Sequence, residues 1–188
     1  MARKVAVLVG SLRKGSFTRK VAAAIAELAP KELAFEPLEI DDLPLYNQDV
    51  DTTTPPEPWQ RLRERVRACD AVLFATPEYN RSVPGVVKNA IDVGSRPYGK
   101  SAWAGKPAAI VSVAPGHVGA FGANHHLRQM LVFLDMPALQ QPEMYVSGAD
   151  KLFDAAGKLA SDTTRQLFVK FGAAFARWIE RTAPARER

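Results

Sequence analysis

Apolar positions along this chain follow two alternating spacings. Residues 4–9 are nearly uniformly apolar after Lys4, and residues 71–75 and 107–113 repeat that pattern. Such short continuous runs mark strands buried on both faces. Between them the period changes to that of a helix. In residues 16–28 the apolar positions Val21, Ile25 and Leu28 lie on one face, and Pro30 stops the run. The same pattern predicts strands over 33–40 and 138–146. It predicts helices from Glu57-Pro58-Trp59 to about Cys69, over 84–93 with Pro84 at the start and Gly94 after the end, over 124–135, and over 161–181. Residues 41–58 hold four prolines with several Asp and Thr, which predicts a long loop. Loops of that length in compact domains are often functional.

Strict alternation of strand and helix implies an α/β fold in which a parallel sheet carries helices on both faces. Crossovers in such a sheet are right-handed. Five strands with a phosphate-type loop after the first fit the flavodoxin-like order 2-1-3-4-5, where ligands bind at the carboxyl ends of the strands near the switch in strand order. The loops at residues 10–18, 76–84 and 114–122 then converge, and all three are rich in Gly, Pro, Ser and polar residues. No internal repeat or long linker divides the chain. The expectation is a single domain over 1–182 with a short tail, 183–188.

The first of these loops reads Gly10-Ser11-Leu12-Arg13-Lys14-Gly15-Ser16-Phe17-Thr18. Two glycines let backbone approach an anion closely. Ser11, Ser16 and Thr18 offer hydroxyl donors, and Arg13 adds a forked, permanent charge. The helix that follows aims its positive end at the same place. A nucleoside triphosphate loop fits poorly, because Ser16-Phe17 stands where a Lys-Ser/Thr pair is needed. A dinucleotide fingerprint also fits poorly, because the G-x-G-x-x-G run is missing. A monophosphate cradle is consistent with the donors, and flavin mononucleotide carries such a group. A plain strand–helix turn needs neither the three hydroxyls nor the arginine.

Composition adds limits. The chain has 188 residues, 47% hydrophobic and 24% charged, as in an ordinary globular protein. The runs at 5–9 and 108–113 fall far short of the ~20 apolar residues that span a membrane. Cys69 is the only cysteine, so no internal disulfide forms, and it reads as a small buried hydrophobe. With no secretory pattern at the N-terminus, these features favour the cytoplasm. The net charge is +5, but the basic residues are dispersed. Arg61, Arg63, Arg65 and Arg67 share a segment with Trp59, Leu62 and Val66 at helical spacing, so most read as a solvated helix face. Arg177, Arg181, Arg186 and Arg188 lie in the last helix and its tail. A dedicated nucleic-acid site is not favoured, although a basic surface attracts small anions. His117, His125 and His126 lack the cysteine or carboxylate that would complete a metal set; they read as surface or interface histidines.

The loop at 10–18 resembles the phosphate loop of the NAD(P)H-dependent FMN reductase family, which includes bacterial chromate, quinone and azo-dye reductases. Thr76-Pro77-Glu78-Tyr79-Asn80-Arg81-Ser82-Val83-Pro84-Gly85, with Lys88-Asn89-Ala90-Ile91-Asp92, resembles a second signature of that family. Weaker matches are Ala104-Gly105-Lys106-Pro107 and the stretch 126–135. The resemblance implies FMN as cofactor and NADPH or NADH as co-substrate. It assigns the FMN phosphate to Ser11, Arg13, Ser16, Phe17 and Thr18. It assigns the isoalloxazine ring to Pro77, Glu78, Tyr79, Asn80 and Arg81, largely through backbone. Ser112, Ala114 and Gly116 follow as flavin contacts from the third loop. No side chain is assigned a catalytic acid or base role, since the flavin carries the chemistry. Quinones, azo dyes, free flavin and chromate are the implied acceptors, and a homodimer or homotetramer the implied assembly. Some chromate-reducing relatives use a tyrosine where this chain has Arg81, with helix-four partners that are here Gly122 and His125, so that tetramer contact is not expected unchanged. The rival readings are a non-catalytic flavodoxin-like electron carrier and a nucleotide-binding regulatory domain.

Overall fold

In the computed structural model, which describes residues 2–183, five strands form one parallel sheet. They are β1 (Arg3–Val9), β2 (Leu33–Pro37), β3 (Ala71–Thr76), β4 (Ala108–Val113) and β5 (Met144–Val146). Their order is β2-β1-β3-β4-β5, with every neighbouring pair parallel. This is the expected flavodoxin-like topology. Most of the expected tail, residues 184–188, lies outside the described residues.

The central strands alternate between two cores, which is why their sequences read as apolar throughout. Ala6 and Leu8 of β1, with Val72 and Phe74 of β3, face one core. There they meet Trp59, Leu62 and Val66 of α2 (Glu57–Arg67), Val87 and Ile91 of α3 (Gly85–Gly94), and Leu127 and Leu131 of α4 (Phe121–Phe133). Val5, Val7 and Val9, with Leu73 and Ala75, face the other. That side is closed by Val21 and Ile25 of α1 (Phe17–Leu28) and by Phe168, Phe171, Phe175 and Ile179 of α5 (Asp162–Thr182). No helix among the described residues is long and apolar enough to cross a membrane.

Four boundaries differ from the sequence expectation for identifiable reasons. β2 ends at Pro37 rather than at 40; Leu38 and Ile40 instead turn into the core beneath α2. β5 is only three residues long. Upstream of it Ala138 makes a single bridge to Ala108, and Pro142, lacking an N–H, interrupts the ladder. α3 includes Gly94 rather than stopping before it. A Cβ there would fall inside the Trp103 indole, so the glycine serves close packing, not a left-handed stop. α4 begins at Phe121, three residues before the expected Asn124.

Arg63 departs from the solvated helix face. Its side chain is buried and makes paired hydrogen bonds of 2.9 and 2.8 Å to the carboxylate of Asp51. Its Nε also donates to Val93 O. The pair ties the long β2–α2 connection to α2 and α3. Arg61, by contrast, forms an exposed ion-pair group with Glu39, Asp42 and Glu57. Cys69 is buried, and that burial pushes its thiol pKa up. Lys106 donates to the carbonyls of Arg67 and Cys69 at the end of α2, and burial lowers its pKa.

Candidate functional site

The loops after β1, β3 and β4 meet at the carboxyl ends of the strands, where the strand order reverses. Gly10 leaves β1 under tight constraint. An added Cβ would lie 2.5 Å from Val87 Cγ2 and 3.1 Å from Pro77 Cδ, so only glycine lets the first loop pass α3 and the second loop. Ser16 caps α1, accepting from the backbone N–H of Arg19 at 3.1 Å. The first two N–H groups of α1, on Phe17 and Thr18, have no partner among the described residues. Likewise no hydrogen bond or ion pair among the described residues engages the side chains of Ser11, Arg13 or Thr18. Ser11 and Thr18 are largely buried as residues. Among the described residues no buried side-chain oxygen lacks a partner, so these two hydroxyl oxygens keep some exposed surface. The loop holds no acidic residue. The loop carries a guanidinium, three hydroxyls and a helix N-terminus with donors uncommitted among the described residues, which is the donor set a phosphate dianion requires. The residues present fit the phosphate of FMN.

The second loop is a tight reversal. Tyr79 and Ser82 exchange two backbone hydrogen bonds of 2.9 Å, and the residues between them, Asn80 and Arg81, have φ of 50° and 65°. This is the two-residue hairpin geometry that favours Asn and Gly; an arginine in the left-handed region is strained. The turn leaves the N–H groups of Asn80 and Arg81 without partners among the described residues. Tyr79 is half exposed and lines a cleft of about 430 Å³. Gly10, Leu12, Arg13, Ile40, Leu43, Leu45, Val86 and Asn89 also line this cleft.

The Glu78 side chain is engaged with α4 and with its own turn. Its Oε2 accepts from the backbone N–H of Ala123 at 3.1 Å, capping the first turn of α4, and Oε1 lies 3.6 Å from Arg81 Nη1. Ala120, before that turn, has φ of 58° and makes no side-chain cap. The start of α4 was unreadable locally because its cap comes from a residue 45 positions away. Gly122 completes this contact: a Cβ there would sit 2.8 Å from Arg81 O and 3.0 Å from Glu78 Oε2. So the second loop is locked onto α4.

The third loop brings fewer of its expected residues to the site. Ser112 is fully buried, donates to Gly119 O at 2.7 Å and accepts from Asn124 Nδ2 at 3.2 Å. Its hydroxyl braces the loop from beneath. Ala114 has both backbone groups engaged, with N–H to Val146 O and C=O from Ala149 N–H. Gly116 is exposed, and nothing lies within 4 Å of its would-be Cβ. His125 lies 3.0 Å from Tyr145 Oη, and His126 lies 2.9 Å from Ser82 Oγ. No group of three or more metal-ligating side chains occurs among the described residues. Sequence reasoning assigned no role to Asn89, although its motif was visible. Its amide reaches across to the β2–α2 connection, accepting from Tyr46 N–H and donating to the carbonyls of Leu43 and Pro44.

Comparison with known proteins agrees with this geometry. The family model described as NADPH-dependent FMN reductase matches residues 3–151. A quinone reductase of Pseudomonas putida is 63% identical over 176 residues, 94% of each chain. A 2-hydroxy-1,4-benzoquinone reductase of a Burkholderia species is 44% identical over 179 residues, covering 95% of this chain and 97% of the relative. Among solved structures, FerB, a flavoenzyme NAD(P)H:(acceptor) oxidoreductase of Paracoccus denitrificans, superposes with a TM-score of 0.92 at 41% identity, over 97% of this chain and all of the other. With its free phosphate-type donors, strand order and matched residues taken together, the chain belongs to the NADPH-dependent FMN reductase family.

Proposed function

We propose that this chain holds FMN across its first two loops and uses NADPH or NADH to reduce quinones. Ser11, Arg13, Ser16, Thr18 and the backbone N–H of Phe17 bind the phosphate. The segment Pro77, Glu78, Tyr79, Asn80 and Arg81 lines the isoalloxazine ring, and the open N–H groups of Asn80 and Arg81 supply donors for its polar edge. Bound FMN supplies the hydride-accepting and hydride-donating chemistry at its N5. The chain itself contributes binding, orientation and preorganised donors where negative charge grows on reduction. The Glu78 contact to α4 keeps the second loop in place while nicotinamide and acceptor alternate over one face. Gly116 approaches the ring through backbone only.

The observation that carries this reading is the uncommitted donor set at the start of α1, beside a half-exposed Tyr79. Quinone is the favoured acceptor because the cleft lining is mostly apolar and because the two curated relatives described above carry quinone in their names. Azo dyes, free flavin and chromate are secondary acceptors. The protein acts in the cytoplasm as a homodimer or homotetramer; exposed Val132 and Phe133 on α4 support such an interface. The test is an absorbance spectrum of purified protein followed by NADH and NADPH oxidation against a quinone panel. A flavin spectrum and quinone-dependent turnover are expected. Protein that neither carries nor binds FMN overturns the reading. Stopped-flow reduction separates an enzyme from an electron carrier, because a carrier reduces slowly with NADPH alone.

A further inference from the structure

The β2–α2 connection forms one wall of the 430 Å³ cleft, and it is held unusually firmly for a surface loop. Asn89 Oδ1 accepts from Tyr46 N–H at 2.9 Å, and Nδ2 donates to Pro44 O at 3.0 Å and Leu43 O at 3.2 Å. Trp59 Nε1 also donates to Pro44 O, at 3.0 Å. These bonds grip the backbone on both sides of Leu45. Yet Leu45 is 81% exposed and lines the cleft. A lone exposed leucine on a loose loop needs no explanation. One clamped in the lining of a mostly apolar cleft, which it shares with Tyr79 and Arg13 of the two flavin loops, presents a fixed apolar surface to whatever enters.

We infer that Leu45 is a specificity-determining residue for the oxidising substrate, and that Asn89 is the positioning residue that holds it. The substrate class is a neutral, flat quinone with a second ring or apolar substituent that packs on Leu45. The lining favours this class over an oxyanion, since among the described residues Arg13 is its one cationic residue and Asp41 adds a negative charge to the same lining. The inference rests on the reading of the site as an FMN-dependent quinone reductase.

The test compares wild-type holoenzyme with Leu45→Ala, Leu45→Trp and Asn89→Ala. The exposure of Leu45 means that its replacement leaves the fold intact. Leu45→Ala is expected to raise KM for 1,4-naphthoquinone about fivefold, what roughly 40 Å² of lost apolar contact is worth. kcat and the KM for ferricyanide, a small anionic acceptor, stay unchanged. Calorimetric affinity of the oxidised holoenzyme for 2-naphthol, a redox-inert bicyclic probe, falls by the same factor. Leu45→Trp shifts the preference between 1,4-benzoquinone and 1,4-naphthoquinone. Asn89→Ala reproduces the KM effect with FMN still bound one to one. Unchanged naphthoquinone KM and unchanged 2-naphthol affinity in both Leu45 variants overturn the inference while leaving the flavin reading intact. Wild-type protein that binds no FMN overturns that reading, and this inference with it.

Discussion

Two loops border the same cleft and treat their polar groups in opposite ways. The β1–α1 loop leaves its donors open: the side chains of Arg13, Ser11 and Thr18 and the first N–H groups of α1 have no partners among the described residues. The β2–α2 connection commits its groups inward, to Asn89, Trp59 and the buried Arg63–Asp51 pair. The first is built to receive an anion, and the second to stand as a wall. Uncommitted donors around a strand end therefore mark binding, whereas saturated hydrogen bonding mark scaffolding, even where both loops are polar in sequence.

The largest expected effect breaks the wall. Arg63→Ala leaves the Asp51 carboxylate, whose side chain is only 3% exposed, without its counter-charge. It should lower stability by roughly 3–5 kcal/mol in urea denaturation, the usual cost of removing one partner of a buried pair. FMN affinity of the folded fraction should change little. Arg13→Ala makes the reverse separation. It should weaken FMN binding by about 1.5–3 kcal/mol, the worth of a charge-assisted hydrogen bond, and leave the urea midpoint unmoved, because the Arg13 side chain has no partner among the described residues.

A smaller effect lies at the second loop, which combines both behaviours. Glu78→Ala removes the cap on α4 and should cost about 1 kcal/mol of stability, with a concurrent loss of FMN affinity as the Tyr79 turn loosens. Fluorescence titration and urea melts on one preparation check both arms. The smallest effect is electrostatic. Arg61 hydrogen-bonds Asp42 at 2.6 and 2.8 Å and holds its pKa below the ordinary carboxylate value. A depressed folded pKa stabilises the fold above the unfolded value near 4 and is lost as pH falls through the folded one. Asp42→Asn should lower stability slightly at pH 7, where the pair contributes in full, and the difference from wild type should vanish as pH falls through the folded pKa; the loss is small because the pair is exposed and screened.

Much of the fold was legible because the buried parallel strands leave a plain signature. The apolar runs at residues 4–9, 71–75 and 107–113 became β1, β3 and β4 within a residue or so. Ser16 at the start of α1 and Pro30 after its end signalled that helix as well. What failed depended on distant partners. The onset of α4 is set by Glu78, the burial of Arg63 by Asp51, and Gly94 by Trp103. No local pattern encodes those contacts. In the site, the open donors of the first loop follow from residue type and helix geometry, so they could be read from sequence. The commitment of Ser112 beneath the third loop follows from Gly119 and Asn124, which only the folded chain brings within reach.

The central claim is that the β1–α1 loop grips the phosphate of FMN. Titration of apoprotein with FMN and with riboflavin, for wild type and Arg13→Ala, tests it directly. Wild type should prefer FMN to riboflavin by at least ~10-fold, and the substitution should erase most of that preference by weakening FMN alone. Equal affinity of wild type for the two flavins, or an equal loss for both on substitution, would contradict it.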